Sequence, residues 1–251
     1  SFSRSLVRQM AREGWRISTA RFDLDAEGHG TVIYRIETPS QLYHGVVFSQ
    51  ALEPQRRSDR VIAEAWDVTF ALVEGTVDDS LLEQMAANVP LQEAGRQHPC
   101  LLVLSRANKS LRNFDAFVES LSSGHQPDPA WLTRVGYLYR TTAVYGNGKF
   151  GIADYARLQA NPDFNRPFSA QMFAVYLLRD FSIKQVEHLA QCRAPDQAVA
   201  LAPAIQRYLG IGNSTGLGMA PFLINHPQLI QQWVYSRERA LAWARGQVPD
   251  D

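Results

Sequence analysis

Between Trp66 and Leu72 the chain alternates without a break: Trp66, Val68, Phe70 and Leu72 are apolar, and Asp67, Thr69 and Ala71 fall between them. A side-chain period of two belongs to an extended strand, because successive side chains leave a strand on opposite faces. The same character runs through Trp15–Leu24, Thr31–Glu37 and Leu42–Ser49. Asp25-Ala26-Glu27-Gly28-His29-Gly30 and Thr38-Pro39-Ser40-Gln41 read as the turns that join them. Parallel strands need a crossover of a dozen residues or more, so connections this short predict an antiparallel meander of about four strands. Ahead of it, Leu6, Val7 and Met10 have helical spacing, and Gly14 supplies a stop.

After Asp78 the period lengthens. Asp78-Asp79-Ser80 offers an N-cap for a helix through Ala87, and Pro90 ends or restarts it. Leu111, Phe114, Phe117, Val118 and Leu121 form a helical stripe that closes near Gly124. Asp128-Pro129 is an N-cap followed by a first-turn proline, and it predicts a helix from there to Tyr145. Ser169–Phe181 is apolar on most faces and reads as a buried central helix, with Ser182 capping another and Gln197–Leu209 forming a third. A last helix is expected from about Pro227 to Arg245. Two stretches stay ambiguous. Cys100–Leu104 is either a fifth strand or the lead-in to a helix, and Asn147-Gly148 is either a helix end or a hairpin turn. The fold class is therefore α+β: a sheet region with an N-terminal helix over 1–77, then a mostly helical region over 78–251, packed as one unit.

The chain's 251 residues, 45% hydrophobic and 20% charged, describe an ordinary globular protein able to bury a sizeable core. Twenty-five Lys and Arg balance 25 Asp and Glu, so no global field recruits nucleic acid or an anionic membrane. No run approaches the ~18 apolar residues of a membrane span. Two cysteines, Cys100 and Cys192, are too few for a disulfide framework and fit a reducing cytoplasm. The chain begins Ser1-Phe2-Ser3 without Met, which leaves room for a targeting segment removed ahead of it.

Function points to Leu209–Pro227, which reads LGIGNSTGLGMAPFLINHP. Four glycines, Gly210, Gly212, Gly216 and Gly218, interleave with Asn213, Ser214 and Thr215. Such a path can turn consecutive N–H groups toward one anion, and Pro221 suits the first turn of a helix that would add its own N–H groups. The alternative is a tight bend that lets two helices pack closely. Gly212–Gly216 also fits G-x-S-x-G, which would make Ser214 a hydrolase nucleophile. That motif needs a strand before the serine and an acid before the histidine, whereas Gln197–Leu209 reads as helix and no carboxylate lies between Ser214 and His226. Dinucleotide and Walker patterns fail on spacing and on the missing Lys.

Other polar features are secondary. Asn147 and Lys149 in a second glycine loop, with Arg140 on the segment before it, form either an anion clamp or a solvated connection. Ser105–Ser110 carries Arg106 and Lys109 near a helix start, as a capping turn or as a third polar turn lining a pocket with the two glycine loops. Asp67 is a general-base candidate or a surface ion-pair residue, and Arg237 lies within the apolar stripe of the last helix. His188 with Cys192, and His98 with Cys100, lack a third ligand, so no metal site is expected and no cofactor is indicated. The reading is a cytoplasmic enzyme or ligand-binding protein for a small anionic metabolite. Gly212, Asn213, Ser214, Thr215, Gly216 and Gly218 hold the anion, Arg140, Asn147, Lys149 and Arg237 surround it, and His226, Ser214 and Asp67 are the catalytic candidates. A non-catalytic interaction or regulatory protein is the alternative, and a serine hydrolase the third.

Overall fold

A computed structural model of the protein describes residues 8, 10–53, 55, 65–88, 98–143, 160–164, 169–213, 238–243 and 245–246. Seven strands form one sheet in sequence order: β1 (Arg16–Leu24), β2 (Gly30–Glu37), β3 (Leu42–Ser49), β4 (Val68–Glu74), β5 (Leu101–Lys109), β6 (Tyr137–Ala143) and β7 (Gly210–Asn213). All neighbours are antiparallel except β6 and β7, which run parallel. The helices are α1 (Asp79–Asn88), α2 (Phe114–Ser122), α3 (Pro129–Arg134), α4 (Ser169–Arg193) and α5 (Pro203–Gln206).

Local chemistry sets the turns. Between β1 and β2 the Asp25 carboxylate accepts the N–H groups of Glu27 and His29 at 3.0 and 2.8 Å, which holds its pKa below the ordinary range. Gly30 has φ +141°, and a Cβ there would lie 2.1 Å from the Asp23 carbonyl oxygen, so only glycine fits. Asp78 caps α1 by accepting from Leu81 N, and Asp128 caps α3 by accepting from Ala130 N, both at 2.8 Å.

The sheet curls into a half-barrel whose concave face is filled by α4. Val32, Tyr34, Ile36, Val47, Phe70, Leu72 and Tyr139 from the strands meet Phe173, Leu177, Phe181 and Val186 of the helix, all buried. Contact is closest at Gly45, where a Cβ would come within 3.0 Å of Leu177 Cδ1. The convex face carries a smaller cluster, in which Val46, Ala71, Val73 and Leu104 pack under Leu81 and Met85 of α1. β1 is largely exposed, and a register shift between Thr19 and Arg21 together with Arg16, Arg21 and Asp23 blunts its edge against pairing. Among the described residues no helix is long and apolar enough to cross a membrane.

The four-stranded meander over β1–β4 is present where the alternation places it. The mostly helical region after residue 78 is not. That region supplies β5, β6 and β7, so the α+β arrangement of a four-stranded sheet followed by helices gives way to one mixed seven-stranded sheet. Local causes are visible for two of these strands and for one shifted helix boundary. The segment expected to continue the Asp128–Pro129 helix leaves it at Val135, which is extended at φ −143°, ψ 101°. Beyond it the segment is rich in aromatic and β-branched residues (Tyr137, Tyr139, Thr141, Thr142), and Tyr139–Thr141 pair with β5. Helix α5 stops at Gln206, where the half-buried Arg179 side chain donates to the carbonyl oxygens of Gln206 and Leu209, and Gly210–Asn213 joins β6. Finally, Ser182 caps nothing: its hydroxyl donates back to the Arg179 carbonyl at 2.7 Å, inside a continuous helix of 25 residues.

Candidate functional site

Strand β5 carries an unusual convex face. Its cross-strand partners are Ala71 for Leu104 and Thr69 for Arg106, so Leu104, Arg106 and Asn108 share the face that α1 covers lower down. Toward the other edge, Asn108 pairs with Arg140, and Arg140 pairs with Gly212. The sheet thus lines up Thr69, Arg106, Asn108, Arg140 and Gly212 across four strands.

Most of this row is dry. Arg106 is 2% exposed and Asn108 4%. The Arg106 guanidinium lies 4.9 Å from the centroid of the Trp66 ring, close enough for a cation–π contact. Asp67 is fully buried, just ahead of β4. Its carboxylate Oδ2 accepts the Lys109 N–H at 2.9 Å, and its own N–H donates to Asn108 Oδ1 at 2.9 Å. Asn108 Nδ2 then donates to the Ala65 carbonyl at 3.1 Å. Asp67 and Asn108 clasp the segment before β4 to the end of β5. Arg140 stands opposite Asn108, and a register shift between Arg106 and Ala107 sets Arg106 opposite Ala143, farther along the same strand pair; guanidinium forks in this part of the sheet suit a carboxylate or phosphate.

The sequence candidates divide cleanly. Asp67, Arg140, Gly212 and Asn213 come to the same part of the sheet, with Asn213 paired to Thr141. Asn147, Lys149, Ser214, Thr215, Gly216, Gly218, His226 and Arg237 lie outside the described residues. Gly210–Asn213 is a strand rather than part of a loop, and it ends one residue before Ser214. At Gly212 a Cβ would come within 2.6–2.7 Å of the Tyr137 ring, so that glycine is required for packing. Arg106 and Asn108 were hidden by reading Ser105–Ser110 as a turn. The signal was there: Leu104, Arg106 and Asn108 alternate with the small Ser105 and Ala107.

Two further polar features lie elsewhere. At the opposite end of the sheet, the Asp163 carboxylate accepts the hydroxyls of Thr38, Ser40 and Tyr43, while Asn161 bridges to Glu74 at 3.3 Å. Burial, and then the Asp163 carboxylate, push the Tyr43 phenol well above its ordinary pKa. Beside β1, an open cleft of about 520 Å³ is lined by Phe22, Lys184, His188 and Val199. Among the described residues no three His, Cys, Asp or Glu side chains gather as a metal site would require. The chain matches no protein-family model, no curated protein and no solved structure.

Proposed function

We propose that the protein binds a small anionic metabolite, as a ligand-binding protein or an enzyme, on the convex face where Arg106, Asn108 and Arg140 meet. The observation that carries this reading is the placement of two arginines on adjoining strands: Arg140 opposite Asn108, and Arg106, almost wholly buried, two residues before Asn108 on β5. An anion bound there would take charge-assisted hydrogen bonds from guanidinium groups in a low-dielectric setting, where such bonds are strongest. Asp67 and Asn108 support the reading as positioning groups that fix the end of β5. The anion site expected at Gly210–Gly218 moves with this proposal to the sheet face on which Gly212 stands, and Ser214 follows directly on β7.

The test is a thermal-shift series with small carboxylates and phosphate esters on wild type and Arg140→Gln. A ligand at a hundredfold excess over its Kd stabilises by about 2.7 kcal/mol, several degrees for a chain of this size. The expected result is such a shift in wild type and its loss in Arg140→Gln, whose apo melting stays close to wild type because Arg140 is only half-buried. A wild type that no anion stabilises refutes the proposal and favours a partner-binding protein. A shift that survives Arg140→Gln moves the site elsewhere.

A further inference from the structure

Both cysteines of the chain touch a histidine, and the two pairs are wired in opposite senses. His98 Nδ1 lies 2.7 Å from Cys100 Sγ and also accepts the Cys100 backbone N–H at 3.3 Å. A backbone N–H can only donate, so Nδ1 presents its lone pair and is able to take the thiol proton. At the other pair, Cys192 Sγ is 3.6 Å from His188 Nε2, but that nitrogen lies 2.8 Å from the Asp25 carbonyl oxygen. A carbonyl can only accept, so Nε2 carries a hydrogen and cannot serve Cys192 as a base. Neither cysteine is in a disulfide.

We propose that Cys100 is a nucleophilic thiol activated by His98, and that it undergoes thiol–disulfide exchange with low-molecular-weight disulfides. A nucleophile and a base within hydrogen-bond reach, with the base held in the accepting tautomer, is the arrangement such chemistry needs. The Sγ–H proton passes to His98 Nδ1. The thiolate attacks one sulfur of the small disulfide, the new S–S bond forms as the old one breaks, and the departing thiolate recovers the proton from Nδ1. One Cys100 mixed disulfide and one small thiol result, so the oxidation of Cys100 is balanced by reduction of the disulfide. Cys100 stands half-buried just ahead of β5, packed against the smaller apolar cluster under α1. That setting admits a small, uncharged reagent. The proposal is independent of the anion site.

The experiment uses the full chain with bis(2-hydroxyethyl) disulfide as the probe. Adduct formation is followed by mass spectrometry from about pH 5.5 to 9, a range that spans the ordinary thiol pKa of ~8.5. Cys192→Ser isolates Cys100, and Cys100→Ser isolates Cys192. The expected result is a Cys100 rate at least about tenfold above that of Cys192 at pH 6.5 and changing little toward neutrality. His98→Asn in the Cys192→Ser background should return Cys100 to the ordinary profile. The idea is overturned by a Cys100 rate that climbs tenfold per pH unit toward about 8.5, or by one that His98→Asn leaves unchanged. The shape of the pH profile does not depend on access. If His98→Asn fails to fold, the Cys192→Ser profile decides alone.

Discussion

Two buried polar clusters sit on opposite faces of the same sheet, and they are built on different principles. On the concave face, Gln185 of α4 donates to the Gly28 carbonyl at 2.7 Å and to Ser49 Oγ at 2.9 Å, and it accepts from the Tyr139 hydroxyl at 2.8 Å. Every partner is neutral and both amide hydrogens are used. The hub ties the helix to the β1–β2 turn, to β3 and to β6. On the convex face, Asp67 and Arg106 put charge-bearing side chains in an equally dry place, with the neutral Asn108 alongside. Desolvating an ion costs several kcal/mol after relaxation, and a hydrophobic replacement of similar volume is often no less stable. A neutral hub that closes on itself needs no purpose beyond fixing the fold. A charged cluster calls for a further reason, and the proposed anion would supply one.

The largest expected effect comes from breaking the neutral hub with a charge. Gln185→Glu removes both donors and buries a carboxylate, a change of the kind that costs about 3–5 kcal/mol. Urea denaturation at pH 7 should show the loss. Burial raises the folded-state pKa of the new carboxyl above its unfolded value, so the protonated form is favoured in the folded chain. Stability should therefore recover as pH falls from 7 toward 5. A variant as stable as wild type at pH 7 would mean that the concave hub tolerates charge, and the contrast between the faces would vanish.

The two faces also differ in how far the sequence disclosed them. On the concave side, alternation located β1–β4, and the apolar run from Met172 to Leu178 located the centre of α4. Those signals are local: period, cap and turn residues. β5 beyond Leu104, β6 and β7 are held by pairing with distant strands, and their local patterns misled. Leu132, Val135, Tyr139 and Ala143 keep a helical period, yet Tyr137–Ala143 is a strand because β5 offers it a partner. The site suffered in the same way. Asp67, Arg140 and Gly212 stood out by type and spacing, whereas Arg106 and Asn108 gain their meaning only when β4 and β6 flank them.

A middle-sized effect should separate packing from binding at the edge of the convex row. In Gly212→Ala the new methyl meets the Tyr137 ring at less than van der Waals distance. Overpacking of this kind costs about 1–3 kcal/mol. Shortening the obstacle in Tyr137→Leu/Gly212→Ala should restore part of the loss, visible as a non-additive double-mutant cycle in urea midpoints. Additive losses would deny the contact. If Gly212 acted only by exposing its N–H to a ligand, neither single variant would change apo stability.

The smallest effect tests the network in which a neutral donor meets an anion directly. The Tyr43 hydroxyl donates to Asp163 Oδ2 at 2.7 Å, and the adjoining turn adds Thr38 and Ser40 to the same carboxylate. At pH 7, Tyr43→Phe deletes one of three hydroxyl donors, for a loss of about 0.5–1.5 kcal/mol. The informative measurement lies at alkaline pH. Burial, and then the Asp163 carboxylate, raise the folded-state pKa of Tyr43 above the ordinary phenol value of about 10. The unfolded chain then releases its proton first, so the contribution is fully present below pH ~10 and is lost as pH rises beyond it. Burial raises Tyr34 in the same direction, with Asp180 adding to it, so wild type carries two such groups. Urea midpoints measured from pH 8 to 11 should fall for wild type above about pH 10 and fall less steeply for Tyr43→Phe. Equal slopes would show that Tyr43 ionises as readily folded as unfolded, and the carboxylate beside it would then be a solvated acceptor rather than part of a closed network.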